Sequence, residues 1–316
     1  MAFSFDTDYG YIWRDFGQKG HRLQVNPKMS LPLWLGPYLS FEPSLSLNHY
    51  TAWLDEETNG EDQLQNRDAI RFKTRLSTLM ERVYDFDWNS VNRLKHKIMP
   101  SIYYEYQDYD EGGTTLPWFE PIEEEGKINR LAFSIENFFD ARREVKDKGV
   151  QYYQWARLSF TQGYDLDEAS RDEEPLRKRE PLEPLIGELS ISPYDDLYLK
   201  AEAHWNHYED DFDFADLSFN FRLNRSGDRQ DHLEIDYIFL RNESKTIQYN
   251  LVVNLWPRFT FGTSLKRDIS GGQNISTNYW LDYESKCWAV RLSAGSLDNV
   301  SGIMLTFRLT GIGSAM

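Results

Sequence analysis

The residues able to bind a metal or act as a nucleophile are few and badly spaced for either task. His204 and His207 lie three apart. Residues three apart on a strand point to opposite faces, so the two imidazoles cannot chelate one ion. Asp108, Asp110 and Gly113 open like a calcium loop, but its twelfth position is Phe119 where a Glu is needed. They read as loop acids with at most weak divalent-cation contact. No HExxH, CxxC, GxSxG or phosphate-binding loop occurs. Carboxylates are plentiful, yet none forms a pair specific enough to serve as acid and base. The chain therefore reads as a non-enzyme without metal or cofactor. Its one cysteine, Cys287, excludes an intrachain disulfide.

The elements behind these residues follow a different logic. The chain has 316 residues, a net charge of −16 and 15% aromatic residues. The acidic balance argues against nucleic acid, whose phosphates require clustered Lys and Arg. No run of eighteen apolar residues occurs, which excludes a helical membrane span. It does not exclude a transmembrane barrel, where only alternate residues face lipid. The start, MAFSFDTDYGYIWRD, lacks a basic n-region and an apolar h-region. A barrel reading thus requires an export signal upstream of Met1.

Period-two alternation runs along nearly the whole chain. Phe3, Phe5, Thr7, Tyr9, Tyr11 and Trp13 share one face, with Ser4, Asp6, Asp8 and Gly10 on the other. The same pattern recurs to Ile303, Leu305, Phe307 and Leu309. It predicts an all-β, antiparallel up-and-down outer-membrane β-barrel with about sixteen strands of roughly ten residues. Opposite faces are polar, as in Lys200, Glu202, His204 and Asn206. Aromatic residues gather at strand ends, at Tyr9–Trp13, Trp53, Tyr104–Tyr106, Trp205 and Tyr279–Tyr283. If the last strand ends in the periplasm, the long connections 54–66, 107–128 and 166–182 all fall outside the cell. The short ones, 33–37, 193–196, 256–258 and 284–286, all fall in the periplasm, as is the rule for such barrels. The charged stretch 166–182 reads as a mobile, solvated loop.

The runs LDYESKCWAVRLSAG (281–295) and IMLTFRLTGIGSAM (303–316) resemble the end of the lipopolysaccharide-assembly family LptD, the organic solvent tolerance proteins. The matching residues are Tyr283, Cys287 and Trp288, then Phe307, Leu309, Gly311, Ile312 and Gly313. HKIMPSIYYEYQDY (96–109), HRLQVNPKMSLPL (21–33) and GPYLSFEPSLSLNHY (36–50) are similar to further stretches of that family. The resemblance implies a barrel of about twenty-six strands, of which residues 1–316 are the C-terminal portion without the periplasmic N-terminal domain. It also implies partners: an LptE-type lipoprotein plug, a periplasmic lipopolysaccharide bridge protein, the barrel-assembly machinery and lipopolysaccharide itself. The family forms disulfides from cysteines at this turn to its N-terminal region, so Cys287 would have its partner outside residues 1–316. Many members carry two adjacent cysteines here, whereas this chain has Lys286-Cys287, and Met316 stands where a barrel ends on an aromatic.

The expectation is a Gram-negative outer-membrane transporter that inserts lipopolysaccharide into the outer leaflet through a lateral seam. Ile303, Leu305, Phe307 and Leu309 would line that seam, and Tyr283, Trp288, Gly311 and Gly313 would form the closing motif. Two other readings share the alternation. One is a general porin or substrate-specific channel, which needs a barrel closed by this chain alone. The other is a soluble β-sandwich, which would extract into buffer without detergent.

Overall fold

The computed structural model describes residues 1–17, 19–55, 64–88, 91–109, 126–145, 149–172, 178–225, 229–297 and 300–309. The chain forms two compact units. The first comprises Met1–Met80, Ile98–Ile135 and Thr161–Glu183; the second comprises Glu81–Lys97, Glu136–Phe160 and Pro184–Met316. Among the described residues no helix is long and apolar enough to cross a membrane.

The first unit is built from β1 (Ala2–Ile12), β2 (Gly20–Ser30), β3 (Leu33–Leu35), β4 (Leu39–Leu54) and β5 (Leu64–Thr78), with parts of β7 (Val91–Tyr109), β8 (Ile128–Val145) and β9 (Gly149–Asp165). All its described ladders are antiparallel: β1 with β2, β2 and β3 with β4, β4 with β5, and β5 with β7. Directly opposed residues share a face, so the alternation of one strand is copied into the next. Phe3, Met29, Leu45, Phe72 and Tyr106 form one such row. The row beside it, Ser4, Lys28, Ser46, Arg71 and Gln107, is polar and faces the other way.

The second unit holds β6 (Met80–Trp88) from Glu81 on, the remaining parts of β7 to β9, then β10 (Leu185–Tyr194), β11 (Leu197–Asn206) and β12 (Asp211–Asn224). It continues with β13 (Gln230–Leu240), β14 (Ser244–Trp256), β15 (Phe259–Asp268), β16 (Gln273–Glu284), β17 (Trp288–Leu297) and β18 (Val300–Leu309). From β10 to β18 each strand pairs antiparallel with the next. One row runs Leu197, Phe221, Leu233, Leu251, Thr263, Tyr279, Ala294 and Ile303, apolar but for Thr263. Its neighbour runs Asn220, Glu234, Asn250, Ser264, Asn278, Gly295 and Gly302. The turns 195–196, 257–258 and 285–287 share one end of this unit with the close of β18. The turns 207–210, 241–243 and 269–272 share the other.

Burial runs against the pattern of a water-soluble protein. Of the described residues, the largest fully buried side chains are Gln65, Gln107 and Ser101. The few buried apolar residues are mostly alanines, whereas Leu217, Leu223, Leu281, Leu292 and many other large apolar side chains are exposed. Exposed apolar surface on this scale must be covered by something other than water.

Three expectations need correction. Among the described residues there are eighteen strands, the sixteen or so expected and two more, β3 and β6. The stretch 33–37 was expected as a turn, but Leu33–Leu35 form β3 beside β4, and the reversal follows at Gly36, whose φ of 72° suits glycine. β6 was missed because Arg82 interrupts its apolar face and Val83 sits opposite. Leu79 alone separates it from β5, and Lys95 of β7 reaches its Glu81 at 2.6 Å. β3 follows β2 along the same partner, β4, so it leaves the up-and-down alternation unchanged. Finally, part of the loop 166–182 is ordered as the helix α1 (Leu166–Ser170). Asp165 caps it, accepting from Asp167 and Glu168 amides at 2.9 Å, and Arg171 holds Glu168 at 2.8 Å.

Candidate functional site

The last strands and the turn before β17 carry most of the expected site. Ile303, Leu305, Phe307 and Leu309 are opposed on β17 by Ala294, Leu292, Val290 and Trp288. They are 80, 71, 61 and 54% exposed. The other face of β18 is exposed as well, from Val300 to Arg308. Such a strand has an apolar face fitted to lipid and little covering either side.

The turn 285–287 is tight. The Ser285 amide donates to the Trp288 carbonyl at 2.8 Å, and the Glu284 amide donates to the Arg258 carbonyl at 2.9 Å. Cys287 sits here, exposed and unbridged. Tyr283 and Trp288 flank it with ring centroids 5.2 Å apart. They belong to a chain of rings: Trp256 to Phe259 at 5.8 Å, Phe259 to Tyr283 at 4.9 Å, and Trp288 to Phe307 at 6.1 Å. Five rings from β14 to β18 therefore lie at one end of the unit, as an interfacial aromatic girdle requires. Gly311, Ile312 and Gly313 lie outside the described residues.

The polar face is laced with opposite charges. In the first unit Glu105 accepts from Arg71 at 2.6 Å and Lys73 at 2.9 Å, and Arg130 meets Glu183 at 2.6 Å. In the second unit Lys97 meets Asp140 at 2.6 Å and Arg157 meets Glu136 at 2.8 Å. Nearer β18, Arg291 forks onto Asp282 with two bonds of 2.7 Å and lies over the Trp280 ring. That ring rests against Gly262, where a Cβ would meet it at 2.0 Å. Acids exceed bases between β10 and β12, where Glu188, Glu202 and Asp216 are directly opposed. The neighbours that offset them include Ser159 on Glu188 and His204 on Glu202.

His204 thus bonds an acid on its own strand, while His207 falls in the following turn. Asp108 pairs with Lys127 at 3.4 Å; Asp110 and Gly113 lie outside the described residues. Among the described residues no group of three His, Cys, Asp or Glu is placed to hold a metal ion. Sequence reasoning missed the cross-strand pairs such as Arg71–Glu105, because strand register is invisible until the connections are known.

The family model for LPS transport system D (LptD) matches residues 1–265. That span includes the stretches 21–33, 36–50 and 96–109, but not the Cys287 turn or β18. No curated protein matches the chain. Among solved structures, a triple mutant of the Rh. blastica porin is 10% identical with a TM-score of 0.36, covering 97% of this chain and 98% of its own. The copper transporter OprC is 11% identical with a TM-score of 0.28, covering 88% of this chain and 54% of its own. P. aeruginosa FpvA bound to a pyoverdine is 9% identical with a TM-score of 0.27, covering 92% of this chain and 49% of its own. Likeness at that level carries no argument, so the assignment rests on the family match. Covering residues 1–265 of 316, that match shows that the chain belongs to the LPS transport system D (LptD) family, outer-membrane β-barrel proteins of lipopolysaccharide transport and assembly.

Proposed function

We propose that residues 1–316 form the C-terminal portion of an LptD barrel that passes lipopolysaccharide to the outer leaflet and releases it laterally along β18. The observation that carries this reading is the exposure of β18 on both faces, with Ile303, Leu305, Phe307 and Leu309 aligned on its apolar side. Among the described ladders β18 pairs with β17, and the backbone groups along a spanning strand's other edge must be paired in lipid, so a second strand must meet it there. In this reading β18 is one lip of a seam. Tyr283 and Trp288 close the strand order at the periplasmic rim, and the closing motif continues in sequence to Gly311 and Gly313. Cys287, at that rim, forms its disulfide with the periplasmic N-terminal domain, which receives lipopolysaccharide from the bridge protein. The alternating charges of the polar face meet an LptE-type plug and the sugar head groups. The barrel-assembly machinery inserts the whole.

A photoreactive residue at position 305 in the full-length protein tests the seam. The reading expects a lipopolysaccharide adduct there and a much weaker one at position 217, on the apolar face of β12 away from the seam. Equal yields, or no adduct at 305, would contradict it.

A further inference from the structure

The ladder between β17 and β18 differs in kind from one end to the other. Beside the turn 285–287, the periplasmic end in the reading above, its pairs are large: Trp288 with Leu309, Val290 with Phe307, and Leu292 with Leu305. The Trp288 and Phe307 rings stack with their planes 23° apart, and Tyr283 of β16 adds a third ring. Arg308 of β18 also reaches Glu284 of β16 at 3.8 Å. Toward the outer end the pairs are small: Ala294 with Ile303, Gly295 with Gly302, and Ser296 with Ser301. There the Ser293 hydroxyl donates to the Met304 carbonyl over a long 3.4 Å.

The two opposed glycines are not equivalent. A Cβ on Gly295 would lie 2.5 Å from the Thr277 carbonyl oxygen, so β17 is drawn close to β16 at this level. A Cβ on Gly302 would meet nothing within 4 Å. β18 therefore has room for a side chain where it carries none, and a glycine inside a strand loosens it. An open groove of about 380 Å³ lies over the spot, with Asn278, Ser293, Gly302 and Met304 in its lining. β17 is tied further to β16 by the Arg291–Asp282 fork, and β16 to β15 by Trp280 resting on Gly262.

We infer that β18 is pinned at its periplasmic end and yields at its outer end, so that the lip of the seam opens from the outside inward about a pivot at Trp288 and Phe307. The inference rests on the seam reading above and adds the direction of opening. Cross-strand side-chain pairs hold a sheet together, and aromatic and branched pairs outweigh a pair of glycines. Backbone groups freed at a rim find water, whereas those freed at the midplane stay unpaired in hydrocarbon. Opening thus starts at a rim, and of the two rims the outer one carries the glycine pair and the periplasmic one the stacked rings. An opening confined to the outer half of β18 delivers an amphiphile to the outer leaflet and leaves the inner-leaflet half of the seam shut.

Hydrogen–deuterium exchange on the full-length protein in outer-membrane vesicles tests the direction. Residues 275–279 of β16 serve as the depth control, because Asn278, Gly295 and Gly302 share one row. Backbone amides of 300–304 are expected to exchange at least about tenfold faster than those of 305–309 and of 275–279. Gly302→Thr adds a β-branched side chain in open space, and is expected to slow exchange at 300–304 and the arrival of new lipopolysaccharide at the cell surface, each by about threefold or more. Gly302→Ala gives a smaller effect of the same sign and serves if the threonine variant loses its heat-modifiable gel mobility. Even exchange along β18, or faster exchange at 305–309, would overturn the inference. So would slower export without slower exchange, the mark of a side chain that merely obstructs the path, or slower exchange with export unchanged. A lipopolysaccharide adduct at position 305 alongside any of these results leaves the seam standing, whereas no adduct there sinks the seam reading itself.

Discussion

At the residue scale, Asp231 is the best-connected buried acid of the second unit. It is 9% exposed, and its Oδ1 accepts the Asn254 amide at 2.8 Å while Oδ2 takes Arg225 Nε at 2.6 Å. Asn254 in turn donates to the Gln230 carbonyl and accepts from Thr260. Removing the carboxylate strands a buried amide and a guanidinium. Asp231→Ala is therefore expected to destabilise the barrel by about 1–3 kcal/mol, read as a lower urea midpoint in a folded-versus-unfolded gel shift. Cys287 calls for a different measurement. An exposed thiol in a tight turn is available to a second cysteine without rearrangement of the strands on either side. Full-length protein is expected to show a redox-dependent mobility shift on non-reducing gels that Cys287→Ser abolishes. Persistence of the shift in that variant would remove Cys287 from the bridge.

At the element scale, alternation has energetic consequences that differ between neighbouring residues. Leu305 lies on the apolar face of β18 and Thr306 on the other. Leu305→Lys places an ammonium in hydrocarbon and is expected to cost about 2–4 kcal/mol near the midplane, lowering the folded fraction in outer membranes. Thr306→Lys is expected to leave that fraction nearly unchanged. Equal effects would mean that β18 does not present one face to lipid. The same alternation made most strands legible from sequence, because each residue type reports which face it occupies. It failed where a strand breaks its own rule. Arg82 and Val83 exchange the expected faces of β6, and the three residues of β3 are too few to show a period. For α1 the signal was present and unread: Asp165 followed by Glu168 is a capping arrangement, masked by the charge of the surrounding stretch.

At the scale of the whole molecule, the inverted burial is the physical content of the fold class. A chain with Gln65 and Gln107 buried and many of its leucines exposed is stable only where hydrocarbon replaces water on the apolar face. The faces were readable because they need only the chain's own period. The site was readable in part. β18 and the Cys287 turn follow from local sequence, whereas the His49–Asp68 and Arg71–Glu105 pairs depend on register set by distant connections. The expected contrast of long and short connections is also confined: 55–63 and 110–127 are long, but the turns from β10 to β18 are short at both ends.

The central claim is that this protein moves lipopolysaccharide rather than small solutes. Depleting the full-length protein from growing cells separates the two. The account predicts that newly made lipopolysaccharide disappears from the cell surface and accumulates inside the outer membrane, while uptake of small hydrophilic solutes is not reduced. Unchanged surface lipopolysaccharide with slower solute uptake would contradict it and restore the porin reading.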